Sequence, residues 1–124
     1  MELTVKRFAD TVALFPAGRI DHATADSFKA ALAPHLAAVS TGRDRAVIDL
    51  AGVEYISSVG LRVLMLASKQ VKAQGGALAV TGLQPVVREI FEISRFNLVL
   101  EVFPTLREAL AKLSPAALAA FEAA

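Results

Sequence analysis

The chain has 124 residues with 13 Lys and Arg against 12 Asp and Glu, a formal net charge of +1. That is one domain with enough length for a real core, and it lacks the basic excess that grips nucleic acid or anionic lipid. No Cys is present and only two His are, which leaves no disulfide framework, no thiolate nucleophile and no histidine-rich metal site.

The opening residues Met1 to Phe8 lack the apolar stretch of a signal peptide, and no apolar run approaches the ~18 residues of a membrane helix. A cytoplasmic protein without membrane insertion is expected. Leu3 to Phe8 alternates as a strand, and Val12 to Ala17 is apolar and β-prone. Ala9-Asp10-Thr11 between them suits an antiparallel hairpin. Gly18-Arg19-Ile20-Asp21 leads to a helical spacing of Phe28, Leu32, Leu36 and Val39, with start signals in Thr24 to Ser27 and a stop at Ser40-Thr41-Gly42. Arg43-Asp44-Arg45 reads as a solvated turn.

Arg45 to Leu50 is a buried strand, and Ala51 to Ser57 reads as a loop. A second helix runs from Ser58 to about Gln74 and stops at Gly75-Gly76. Ala77 to Thr81 is a strand. Pro85 opens a third helix with an apolar face of Val86, Val87, Ile90, Phe91 and Ile93. Leu98 to Phe103 is the last strand, and Pro104-Thr105 opens a helix through Leu113. Ser114-Pro115 restarts the chain as a short Ala-rich tail, whose Leu118 and Phe121 would clip it onto the domain or onto a second copy. The order is β-β-α-β-α-β-α-β-α plus a tail. It predicts an α/β fold: a mixed sheet of about five strands, an N-terminal hairpin followed by parallel strands, packed with about four helices. Val47-Ile48 and Leu98-Val99-Leu100 suit strands buried on both faces.

The informative stretch is Val47 to Leu64. A buried strand delivers the chain to a serine pair at a helix start, where free N–H groups and the macrodipole favour an anion. A phosphorylated serine there adds about −1.5 to −2 charges. On spacing alone, Ser58 is an N-cap that also serves as a candidate modification site. Wound at ~100° per residue, the second helix turns Gly60, Leu64, Ala67, Ser68 and Val71 to the sheet, with Leu61 and Val63 at the boundaries. Arg62, Met65, Leu66, Lys69 and Ala73 fall on the side of Ser58, as a docking patch of apolar residues beside cations. Gly60 fits a close helix–sheet approach that leaves no room for Cβ.

Asp49-Leu-Ala-Gly-Val-Glu-Tyr-Ile-Ser-Ser-Val-Gly-Leu-Arg-Val-Leu64 closely resembles the phosphorylation segment of bacterial anti-sigma-factor antagonists, which are stand-alone STAS domains. Gly18 to Ala25, Gly75-Gly76, Leu78 to Thr81 and Val87 to Phe96 extend the resemblance over nearly all of Leu3 to Leu113. It implies residues 1–113 as the STAS domain and 114–124 as an extension. It also implies a partner-switching module that, unphosphorylated, binds an anti-sigma factor of GHKL serine-kinase type. That kinase phosphorylates the antagonist and a PPM-type serine phosphatase resets it. The family's modified serine lies two residues before the Gly and maps to Ser58. Ser57 stands where Asp is frequent and is the second candidate. Asp21 matches an acidic position implicated in partner recognition, and the expected contact set is Asp21, Thr24, Ser57, Ser58, Val59, Arg62, Met65, Leu66 and Lys69. No cofactor is implied, and the chain is expected to be a monomer or weak dimer. STAS modules also serve as subunits of transporters and of stress-signalling complexes, which is the alternative within the fold.

Catalysis is not expected. Ser58, Asp21 and His22 are elements of a nucleophilic site, but Ser58 stands outside a Gly-x-Ser-x-Gly elbow and His22 is merely next to Asp21 in sequence. There is no phosphate-binding loop of the Walker type for a nucleotide, since Gly75-Gly76 is a helix stop and Val80-Thr81-Gly82 a turn.

Overall fold

The computed structural model describes residues 3–40 and 44–124. Thr41, Gly42 and Arg43, part of the expected helix stop and of the expected solvated turn, lie outside the described residues.

The first two strands, β1 (Leu3–Phe8) and β2 (Thr11–Ile20), form the expected antiparallel hairpin, closed by the pair Phe8 and Thr11. Ala9 turns the corner at φ 53°. β2 is longer than its apolar pattern suggests. Gly18 at φ 89° and a register shift between Gly18 and Arg19 interrupt the alternation without ending the strand. Thr11 to Leu14 pair in parallel with β3 (Arg45–Asp49), whereas Ala17 to Ile20 pair in parallel with β4 (Gly52–Ile56). Pro16 stands at the changeover, where its missing N–H breaks no ladder. β4 overturns the expectation of a loop over Ala51 to Ser57. Its five residues lean on the second half of β2, and Val53 and Ile56 are fully buried.

β5 (Leu78–Thr81) and β6 (Glu101–Phe103) complete the order β1-β2-β3-β5-β6, with β4 beside β2, a sheet of six strands among the described residues. Leu98 to Leu100 do not form the doubly buried strand expected of them. Phe96–Leu98 is a 3₁₀ turn, and Leu98 and Val99 face solvent while only Leu100 is buried. Three consecutive apolar residues do not distinguish a central strand from the corner that precedes one.

Helices α1 (Ala25–Leu36), α2 (Ser58–Ala73) and α3 (Pro85–Ile93) cover one face of the sheet, and α4 (Leu106–Leu113) and α5 (Pro115–Ala123) the other. α1 ends at Leu36, short of Val39, which is nonetheless buried just past the helix. Strand register explains the two faces. Leu14, Ile48 and Val80 align in one row across β2, β3 and β5, and Ala13, Val47 and Ala79 in the next. Alternation sends the large row toward α1–α3 and the smaller row toward α4 and α5. Val47 and Ile48 are thus buried on opposite faces, as expected.

The tail clips onto its own domain. The ring of Phe121 meets Phe8 edge-on with centroids 5.4 Å apart. The buried Ser114 hydroxyl donates to Asp10 Oδ1 at 2.6 Å and accepts from Ala117 N at 3.1 Å, capping α5. Asp10 Oδ2 also receives Arg45 Nη1 at 2.6 Å, so the hairpin turn, β3 and the tail share one carboxylate. On β1, Arg7 pairs with Asp44 at 2.7 Å, and that hydrogen bond raises the guanidinium pKa further above its ordinary value.

Candidate functional site at the start of the second helix

β2 and β4 end side by side, with Ile20 opposite Ile56, and Ser57 N donates to Ile20 O at 2.8 Å. The chain then enters α2. Ser57 has extended backbone (φ −88°, ψ 173°), and its Oγ accepts from Gly60 N at 3.3 Å. Ser57 is therefore the N-cap, and Ser58 is the first helical residue, which corrects the expectation that Ser58 caps. The side chain one residue earlier has the extended backbone and the reach to the third helical N–H. Ser58 is exposed, and its hydroxyl makes no hydrogen bond among the described residues.

Gly60 is buried because the helix enters almost against the sheet. A Cβ there would lie 2.7 Å from Ile20 Cγ2 and 2.8 Å from Ile56 Cγ1. The N-terminus of α2 is thereby held at the ends of β2 and β4, with the N–H groups of Ser58 and Val59 left without intrahelical partners.

Asp21 follows directly on Ile20, so the same register brings it beside the serine pair. Its Oδ1 accepts from Ala23 N at 3.0 Å. Its carbonyl accepts from Thr24 N and Ala25 N, starting α1. The Thr24 hydroxyl donates to Arg19 O at 2.8 Å and accepts from Asp21 N at 3.0 Å, so it locks the end of β2 instead of capping α1. Arg19 was not among the expected site residues. Its guanidinium lies over the Tyr55 ring at 4.5 Å and its Nε is 3.7 Å from Asp21 Oδ2. The alternation Arg19-Ile20-Asp21 already places the two charges on one side of a strand, and that was the available signal.

Along α2, Gly60, Leu61, Val63, Leu64, Ala67, Ser68 and Val71 are buried, as the helical winding predicts. Val59, Arg62, Leu66 and Lys69 are exposed on the side of Ser58. Met65 is half-buried and packs on the core, so it borders the patch instead of standing in it. Leu66 lines a shallow cleft with Lys29, Leu32 and Leu36 of α1. His22 is exposed. Among the described residues no group of three His, Cys, Asp or Glu side chains is placed to hold a metal, and no helix is long and apolar enough to cross a membrane.

The STAS domain family model matches residues 2–109. The chain belongs to the STAS-domain anti-sigma factor antagonist family. A Bordetella bronchiseptica protein named as a candidate anti-sigma factor antagonist, BtrV, is 40% identical over 124 residues, spanning 100% of this chain and 97% of its own. The crystal structure of a Thermotoga maritima protein, likewise a candidate anti-sigma factor antagonist, superposes with a TM-score of 0.80 at 22% identity, covering 90% of this chain and 93% of that one. Bacillus SpoIIAA in its unphosphorylated form superposes with a TM-score of 0.70 at 17% identity, covering 90% of this chain and 95% of that one. These two structures speak to the fold of this STAS domain alone.

Proposed function

We propose that this STAS domain, when unphosphorylated, binds an anti-sigma factor of GHKL serine-kinase type and releases it on phosphorylation of Ser58. A PPM-type serine phosphatase resets the switch, and the cycle runs in the cytoplasm. The observation that carries this reading is the difference between the two serines. The Ser57 hydroxyl is engaged as the cap of α2, whereas the Ser58 hydroxyl is exposed and unengaged at the positive end of the helix. A kinase can reach Ser58 without dismantling the helix start.

The unmodified hydroxyl stands at the rim of the face formed by Val59, Arg62, Leu66 and Lys69, with Met65 at its border and Asp21, Thr24 and Ser57 at the adjoining strand ends. A phosphate at Ser58 is tolerated by the domain itself, because the free N–H groups and macrodipole of α2 favour an anion. Its effect falls on the partner, through desolvation of a dianion and repulsion of acidic groups. A loss of only ~3 kcal/mol weakens binding more than 100-fold. SpoIIAA, described by its phosphorylation state, supports a switch of this kind.

The test uses a purified serine kinase captured with this protein from its native cell, ATP and mass-spectrometric mapping. Label should appear on wild type and Ser57→Ala and be absent from Ser58→Ala, and Ser58→Asp should bind the kinase at least 100-fold more weakly. Modification of Ser58→Ala but not of Ser57→Ala would reverse the site assignment. Equal affinity of Ser58→Asp and wild type would remove the switch.

A further inference from the structure

A cleft of about 390 Å³ opens at the C-terminal end of α2, where that helix meets the 3₁₀ turn and the start of β6. That volume lies in the range of small-molecule sites. The floor is aliphatic, with Val71 and Leu100 buried in it, and no aromatic ring among the described residues lines the cleft. Four polar side chains line it as well: Ser68, Lys72, Asn97 and Glu101.

Ser68 is the telling one. It is only 3% exposed, on the inner face of α2. A serine inside a helix can turn its hydroxyl back to the carbonyl four residues earlier. This hydroxyl makes no hydrogen bond among the described residues. Yet no fully enclosed side-chain oxygen among the described residues lacks a partner. The Ser68 oxygen therefore holds the residue's small remaining accessible surface, and the cleft that Ser68 lines is what reaches it. A hydroxyl so placed costs stability unless something bonds it. Alanine would serve the packing and the helix better.

Helical spacing sets Lys72 one turn after Ser68 on the same face. The helix dipole accounts for a cation in the last turn of α2, but not for the bare hydroxyl beside it. Glu101 opens β6 on the other wall. Neither Lys72 nor Glu101 makes a salt bridge among the described residues. The cleft thus offers unpaired charges of both signs above an aliphatic floor. A simple carboxylate would meet repulsion from Glu101, and a simple amine would meet it from Lys72. A zwitterion with an aliphatic body matches both charges and the floor.

We propose that this cleft binds an aliphatic free amino acid. The carboxylate takes the Lys72 ammonium and the Ser68 hydroxyl, the ligand's ammonium takes Glu101, and its side chain lies on Val71 and Leu100. The cleft is at the other end of α2 from Ser58, so the site does not rest on the proposed switch.

Titration calorimetry and amide chemical-shift mapping of the intact chain with L-leucine test this. Leucine should bind with a Kd of about 1 mM or tighter and shift the amides of Ser68, Lys72 and Glu101. Isocaproate lacks leucine's ammonium and isoamylamine lacks its carboxylate, and each should bind at least tenfold more weakly. Lys72→Met should weaken leucine at least tenfold and not weaken isoamylamine. Glu101→Gln should weaken leucine and not isocaproate. Ser68→Ala should weaken leucine at least threefold while its thermal midpoint holds or rises. Ser58→Asp should bind leucine like wild type. Absence of binding at about 10 mM leucine would overturn the proposal. So would isocaproate or isoamylamine binding as tightly as leucine, unchanged leucine affinity in Ser68→Ala, or a lowered midpoint in that variant.

Discussion

The two adjacent serines differ in what their hydroxyls do, and stability measurements can separate them. Ser57→Ala removes an N-cap acceptor from Gly60 N and should lower unfolding free energy by about 1 kcal/mol. Ser58→Ala removes an exposed hydroxyl and should change stability by less than ~0.5 kcal/mol. Urea denaturation of the two variants checks the assignment without any partner. Gly60→Ala is the stronger perturbation. Alanine favours a helix by about 1 kcal/mol over glycine, but here its Cβ would lie 2.7 Å from Ile20 Cγ2 and 3.0 Å from Ile20 O. The clash should dominate and destabilise by about 1–3 kcal/mol, read as a lower denaturation midpoint. The sequence made Gly60's role readable, because helical winding alone turns it to the sheet. It did not resolve which serine caps. That choice depends on where the backbone leaves the extended region, and adjacent Ser-Ser is the pattern for which residue-type preference is silent.

At the scale of elements, the long periodic helices and the hairpin were legible, and the short strands were not. β4 has five residues beginning with Gly52 and follows β3 after a two-residue turn, so its apolar content reads as a loop. Only the pairing with the far half of β2, across the Gly18 bulge, makes it a strand. β6 has three residues, and the apolar run before it belongs to the exposed corner. The tail was legible as a helix, and the choice between its own domain and a second copy lay in tertiary packing: Phe8 and the Asp10 carboxylate are what it meets. Phe121→Ala should therefore destabilise the monomer by about 2 kcal/mol. That is below the usual cost of a fully buried phenylalanine because this ring is half-buried. Truncation after Leu113 should cost more, since it also uncovers Phe8 and removes the Ser114 hydrogen bond to Asp10. Thermal unfolding at several protein concentrations distinguishes this from a tail that bridges copies, because a bridging tail makes the midpoint rise with concentration in wild type and not in the chain truncated after Leu113.

Across the whole molecule, a net charge of +1 gives little long-range field of its own. The proposed phosphate at Ser58 would take the sum to about −1, a small global change made at one end of one helix. Electrostatic steering toward a partner must then come from local charges, and Arg62 and Lys69 are the exposed cations on the face beside Ser58. Exposed charges act over a Debye length of about 10 Å at 0.1 M salt, comparable with that face. Arg62→Glu/Lys69→Glu should slow association with the proposed kinase partner at low salt by about tenfold or more and flatten the dependence of the association rate on ionic strength. The thermal midpoint should stay within a few degrees of wild type, because neither side chain makes a salt bridge among the described residues. Stopped-flow association rates across a salt series give both quantities. A wild-type salt slope retained in the double variant would place docking on another face. A slope that flattens with it would tie recognition to the helix that carries the proposed switch.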